Sequence, residues 1–179
     1  MIQFYVGEGK GKTTAAIGLA VRALGAGKRV AIVQFDKGDV PDGAGYSERR
    51  VLEGLDGLTL IATGRDRRNP DGSFRYGNTD EDIREARRGL DVVARLLDNG
   101  RHDLIVCDEL LACVTTGLVG RADVEAMLDL HGGREEVELV LTGRCDDETL
   151  LKRADLVTEM RNIKHYYDAG VAARPGYDY

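Results

Sequence analysis

Short apolar runs alternate with helical patterns along this chain, which predicts a parallel sheet with helices on both faces. The first strand spans about Ile2–Val6, and a helix follows over Ala15–Leu24, stopping near Gly25 and Gly27. Arg29–Phe35 reads as the second strand, with Gly38, Pro41, Gly43 and Gly45 as breakers after it. Ser47 is placed to cap a short helix reaching Leu52, and Leu58–Ala62 reads as the third strand. Thr63 to Asn78 is polar and rich in Gly and Arg, a length that points to a functional loop rather than a simple connector. Thr79 and Asp82 form a capping-box pattern ahead of Ile83, Ala86, Leu90, Val93, Ala94 and Leu97 at near-helical spacing, and Gly100 ends that helix. Leu104–Cys107 is a buried-type strand, followed by a helix over Arg121–Leu130. Val137–Leu141, a short helix near Glu148–Lys152 and a sixth strand over Leu156–Met160 complete the pattern. Residues 161 to 179 show no periodicity. The expected fold is α/β: one three-layer domain over residues 1–179, with a mostly parallel central sheet of about six strands.

Between the first strand and the first helix lies Gly7-Glu8-Gly9-Lys10-Gly11-Lys12-Thr13-Thr14. Strand, glycine-rich loop and helix together are the context a phosphate-binding loop needs. Such a loop turns successive N–H groups toward an anion at the positive end of the helix. Lys12 can then reach phosphate oxygens, and the Thr13 hydroxyl can ligate Mg²⁺. The loop is one residue short of the common pattern, because Gly7 and Gly11 have only three residues between them. The alternative is a glycine-rich turn with no ligand.

The net charge of −6 argues against broad binding to nucleic acid or an anionic membrane. The apolar runs are strand-sized, so no membrane span is expected. The first strand begins so early that no signal peptide is expected either. Three cysteines, Cys107, Cys113 and Cys145, lack paired spacing and suit a reduced, cytoplasmic setting. Cys107 reads as core. His102, His131 and His165 show no metal-ligand spacing, and the first two are expected at the surface or in loops.

In open α/β sheets ligands gather at the carboxyl ends of strands. Asp108-Glu109 falls at such an end and is the expected Mg²⁺ partner of the phosphate loop. Either carboxylate can instead serve as a base, or Asp108 can simply cap the next helix. Arg144 follows the fifth strand and is a candidate phosphate clamp. Arg22, two to three turns into the first helix, either faces the same anion or points to solvent. No Ser-His-Asp arrangement can be read.

The chain resembles the phosphate-loop ATP:corrinoid adenosyltransferases of vitamin B12 metabolism. The resemblance is carried by Gly7 through Ala16, Val33-Gln34-Phe35-Asp36-Lys37-Gly38, Asp108-Glu109-Leu110, Leu141-Thr142-Gly143-Arg144, Ala154-Asp155-Leu156-Val157 and the tail from Lys164-His165 to Gly176-Tyr177-Asp178-Tyr179. The shortened loop is itself a family feature. The resemblance implies that Co(I) of a reduced corrinoid attacks the ribose 5′-carbon of ATP and releases triphosphate. It implies triphosphate binding by residues 7–14, Mg²⁺ binding by Thr13 and Glu109, and phosphate contacts from Lys12, Arg22 and Arg144. A homodimer is also implied. Where the family carries aromatics after the third strand, this chain has Arg65-Asp66-Arg67-Arg68, with Phe74 and Tyr76 the nearest rings. Those two rings, with Arg65 and Arg67, are the corrinoid-binding candidates; Arg75 and its neighbours can also be a solvated basic loop. No counterpart of the family's covering N-terminal segment is expected, since the first strand starts at Ile2. The competing functions are a phosphate-loop hydrolase or kinase without a corrinoid site, and a non-catalytic carrier of corrinoid or nucleotide.

Overall fold

A computed structural model describes residues 1–38, 46–67, 69 and 75–178. In chain order the elements are β1 (Ile2–Val6), α1 (Lys12–Gly25), β2 (Val30–Gln34), α2 (Arg49–Leu52), β3 (Leu58–Ala62), α3 (Asp80–Asn99), β4 (Leu104–Asp108), α4 (Leu110–Thr115), α5 (Arg121–His131), β5 (Glu138–Thr142), α6 (Glu148–Leu151) and β6 (Leu156–Glu159), then a short 3₁₀ turn over Tyr166–Ala169. The strands lie in the order β3-β2-β4-β5-β1-β6. Every pairing is parallel, not merely most.

Each β2 and β4 residue is buried, as a parallel strand covered on both faces requires. Alternate side chains serve opposite faces. Val30 and Ile32 pack with Ala16 and Ala20 of α1 and Leu52 of α2. Ala31 and Val33 join the larger core formed by α3, α4, α5 and α6, which contains Val93, Leu97, Leu111, Leu128 and Leu150. β6 is an edge strand, with all four residues exposed. To reach β2 from β1, the chain carries α1 across β5 and β4. That crossing sets the start of α1 beside the carboxyl end of β4.

Several boundaries differ from the sequence reading. α1 begins at Lys12 rather than Ala15, so Thr13 lies in its first turn. β4 runs on to include Asp108. A helix absent from the sequence reading, α4, follows directly. Glu48, not Ser47, stands at the N-terminus of α2, with no side-chain cap bond. His131 is fully buried, and its Nε2 donates to the Val137 carbonyl at 2.9 Å, contrary to the expected exposed position. That bond joins the end of α5 to the approach to β5. His102 lies in the loop before β4, as expected.

The capping box at α3 is present: Thr79 accepts from the Asp82 amide while Asp82 accepts from the Thr79 amide. Asp82 also takes both terminal nitrogens of Arg75, at 2.8 and 2.9 Å. The Arg75 guanidinium holds the Asp82 carboxyl well below the usual carboxylate range. A carboxylate whose folded-state pKa is depressed stabilises the fold above its unfolded value of about 4, and that contribution fades as pH falls below it. Asp82→Asn is expected to cost about 2 kcal/mol near neutral pH. Urea unfolding at a series of pH values should show the gap between variant and parent narrowing below about pH 4.

Candidate functional site

The phosphate loop packs against the chain that leaves β6. The Gly9 amide donates to the Met160 carbonyl at 2.7 Å. A Cβ at Gly9 would stand 2.7 Å from both that oxygen and the Arg161 carbonyl carbon, so only glycine fits. Gly11, just before α1, has φ 120°, a region that side chains disfavour. Lys12 folds back over the loop, its Nζ donating to the carbonyls of Gly7 at 2.6 Å and Gly9 at 2.8 Å. Burial lowers the pKa of this ammonium, against the opposing pull of Glu109.

Asp108 is the hub on the other side. It is 1% exposed. Its Oδ1 accepts from Thr13 Oγ1 at 2.9 Å and Thr142 Oγ1 at 2.7 Å, and its Oδ2 from Lys37 Nζ at 2.6 Å. The loop, β5 and the segment after β2 therefore converge on one carboxylate. The Glu109 amide donates to Thr142 Oγ1 at 2.9 Å. Glu109 itself adopts φ 63°, a left-handed conformation that costs a non-glycine residue about 1–2 kcal/mol. It occupies the N-terminal boundary of α4 without a side-chain cap bond, so the alternative in which Asp108 caps the next helix does not hold. Burial raises the Glu109 carboxyl's pKa, with Lys37 pulling it back.

Between these elements lies a cavity of about 810 Å³. Its walls include residues 10–14, Phe35, Asp36, Lys37, Tyr46, Glu109, Cys113 and the tail residues Gly176, Tyr177 and Asp178. The tail is tied to the phosphate loop through Lys10, whose Nζ donates to Tyr166 Oη at 2.8 Å, to the Asp178 carboxylate and to the Tyr177 carbonyl. Arg174 steadies the same carboxylate at 3.1 Å and lies over the rings of Tyr166 and Tyr177. The Asp178 carboxyl is held far below its usual range, chiefly by Lys10.

The whole chain, residues 1–179, matches the family described as ATP:corrinoid adenosyltransferase BtuR/CobO/CobP. The chain belongs to this family. It is 36% identical over 181 residues to the corrinoid adenosyltransferase of Escherichia coli K12, covering 100% of this chain and 85% of that protein. Identity and coverage are the same for the corrinoid adenosyltransferase CobA of Salmonella typhimurium LT2. The corrinoid adenosyltransferase of Pseudomonas aeruginosa PAO1 is 32% identical over 179 residues, covering 97% of this chain and 80% of its own length.

In this member of the adenosyltransferase family, Lys10, Gly11, Lys12, Thr13, Thr14 and Glu109 all line the cavity, with Asp108 directly behind Thr13. Glu8 and Arg144 form an exposed pair at 3.0 Å that is not among the cavity's described walls, although the Arg144 charge acts on both Lys12 and Glu109. Arg22 is not brought to the cavity. Ten residues past Lys12, it is about 15 Å along the helix axis. It is exposed, and its charge acts on Tyr5 of β1. Arg65 pairs with Glu81 at 3.1 Å on the surface. Arg67 is committed to Asp36 at 2.8 Å and to the Gly77 carbonyl at 2.9 Å. Tyr76 is 93% exposed and stands outside the cavity wall. Phe74 and Arg68 lie outside the described residues.

Local sequence marks no chemistry at Lys37, Tyr46 or the tail. Lys37 and the tail lie within stretches that carried the family resemblance, but their partners are distant in sequence. Among the described residues no three His, Cys, Asp or Glu side chains cluster as metal ligands. The hard oxygens of Thr13, Asp108 and Glu109 nonetheless suit Mg²⁺, which takes one or two protein oxygens and completes its shell with phosphates and water. Gly9→Ala should push the loop off the chain after β6 and weaken ATP binding at least tenfold, on the order of 1.4 kcal/mol. Calorimetric titration with ATP measures this, and a thermal unfolding midpoint close to the parent's shows that the fold survives.

Proposed function

We propose that this protein transfers the 5′-deoxyadenosyl group of ATP to the Co(I) of a reduced corrinoid, releasing triphosphate, in adenosylcobalamin formation or salvage. Co(I) supplies an electron pair to the ribose C5′. A cobalt–carbon bond forms, the C5′–O5′ bond breaks, and triphosphate leaves with that bond's electrons. The observation that carries this reading is a phosphate loop opening onto a cavity whose described walls hold neither a histidine nor a reactive thiol. Among the described residues no histidine lines it. Its one cysteine, Cys113, has its thiol pushed far up by burial. Such a wall suits a nucleophile carried by the second substrate.

The protein's task is then to hold C5′ near the cobalt and stabilise a highly charged leaving group. Lys12 gives up its loop carbonyls for phosphate oxygens. Arg144 exchanges its exposed partner Glu8 for phosphate, a partner whose loss costs little. Thr13, Asp108 and Glu109 hold Mg²⁺, which when bound offsets the charge of the triphosphate. The corrinoid approaches from the side of Phe35, Asp36 and residues 65–67. Arg67 positions Asp36 there, and Arg65 would leave its exposed partner Glu81 to meet corrinoid carboxylates. Arg22 stands apart from this set. Among the described residues no helix is long and apolar enough to cross a membrane. We infer a cytoplasmic homodimer, from the cysteine usage and the family resemblance respectively.

Incubation with ATP, Mg²⁺ and chemically reduced cobalamin, followed optically, should yield the cobalt–carbon product with one triphosphate per turnover. ADP with phosphate instead would make the protein a hydrolase. Glu109→Gln should lower turnover at least tenfold and raise the Mg²⁺ concentration at half-maximal rate. Unchanged turnover with unchanged Mg²⁺ dependence removes Glu109 from the metal role.

A further inference from the structure

Lys37 is the most buried lysine ammonium at the site, with its side chain 10% exposed. Its backbone is pinned by the Lys37 amide donating to the Thr63 carbonyl at 2.9 Å and by Arg49 donating to its own carbonyl. The preceding residue, Asp36, adopts φ 52°, which turns the chain so that Lys37 points inward. The ammonium lies 2.6 Å from Asp108 Oδ2 and 3.5 Å from Thr13 Oγ1. A divalent cation assigned to Thr13 and Asp108 would draw on these same two side chains. The Tyr46 ring, 4.9 Å away, covers another side of the ammonium, and the cavity lies beyond.

We propose that Lys37 is a tethered counter-ion: it neutralises Asp108 until a divalent metal takes that place, and its ammonium then transfers to the polyphosphate. Asp108 is buried, so it cannot go without a positive partner. A metal on Asp108 and Thr13 leaves Lys37 beside a second, doubly charged cation in a poorly solvated site, and the two repel strongly. Its four-carbon stem lets the ammonium swing. The cavity it faces is the one flanked by the phosphate loop, where a bound polyphosphate brings uncompensated negative charge. Metal entry and an added positive charge on the leaving group are thereby one event. Lys37 is thus a positioning residue for the metal and a direct contact for the triphosphate. The proposal rests on the nucleotide half of the reading above and needs nothing from the corrinoid half.

The test uses the full chain with Mn²⁺ alone and with inorganic tripolyphosphate, so neither corrinoid nor adenosyl transfer enters. Free Mn²⁺, followed by its electron paramagnetic resonance signal, should show Lys37→Met binding Mn²⁺ at least tenfold tighter than the parent. With Mn²⁺ saturating, the same variant should bind tripolyphosphate at least tenfold more weakly. Equal Mn²⁺ affinities, no Mn²⁺ binding by either protein, or unchanged tripolyphosphate affinity overturns the exchange. Removing the partner of a buried carboxylate can unfold the chain, so the parent protein supplies an independent measurement. Crystals with Mn²⁺ and tripolyphosphate should place Lys37 Nζ about 3 Å from a phosphate oxygen and off Asp108. An ammonium still on Asp108 with Mn²⁺ on Thr13 refutes the proposal. Failure of adenosyl transfer with these results intact would count against the corrinoid chemistry alone.

Discussion

A buried carboxylate must be surrounded by donors, and Asp108 meets that demand by recruiting them from three distant parts of the chain. Thr13 comes from the start of α1, Thr142 from the end of β5, and Lys37 from the turn after β2. Each bond is charge-assisted and shielded from water, where such contacts are strongest. Satisfying one acid therefore sets the phosphate loop, β5 and the β2 exit at fixed distances around a common point. Glu109 is presented to the cavity by the same arrangement, because its strained backbone is held through its amide on Thr142.

The short phosphate loop is supported from outside. Gly9 leans on the Met160 carbonyl, and the tail returns to fasten Lys10. A loop with one residue fewer has less freedom to wrap an anion by itself. Here the chain after β6 and the last residues of the tail supply the missing enclosure, and they leave glycine the only residue able to fit at the contact.

The charge distribution follows the same logic. The chain carries −6 overall, yet Lys10, Lys12 and Lys37 all border one cavity. Each is held by protein oxygens: the tail, the loop carbonyls and Asp108. The cavity is thereby positive only toward a ligand rich in oxygens that can replace those partners. The basic loop after β3 works differently. Arg67 and Arg75 are spent on Asp36 and Asp82, so they shape the rim and the start of α3 rather than waiting for a substrate.

Strand positions, the helical stripe of α3 with its capping box, and the strand–loop–helix of the phosphate site were all legible in the sequence, because each depends on residues a few positions apart. The family could be named from motifs of the same local kind. Strand order, the convergence on Asp108, the burial of His131 and the fastening of Lys10 by Asp178 were not legible. Those contacts join residues as far as 168 positions apart, and nothing in local spacing marks which pairs will meet. Lys37 and Arg22 show the difference most plainly: each is a lone basic residue in sequence, but the pairing of β2 with β4 sets one against a buried acid, while the course of α1 carries the other away from the cavity.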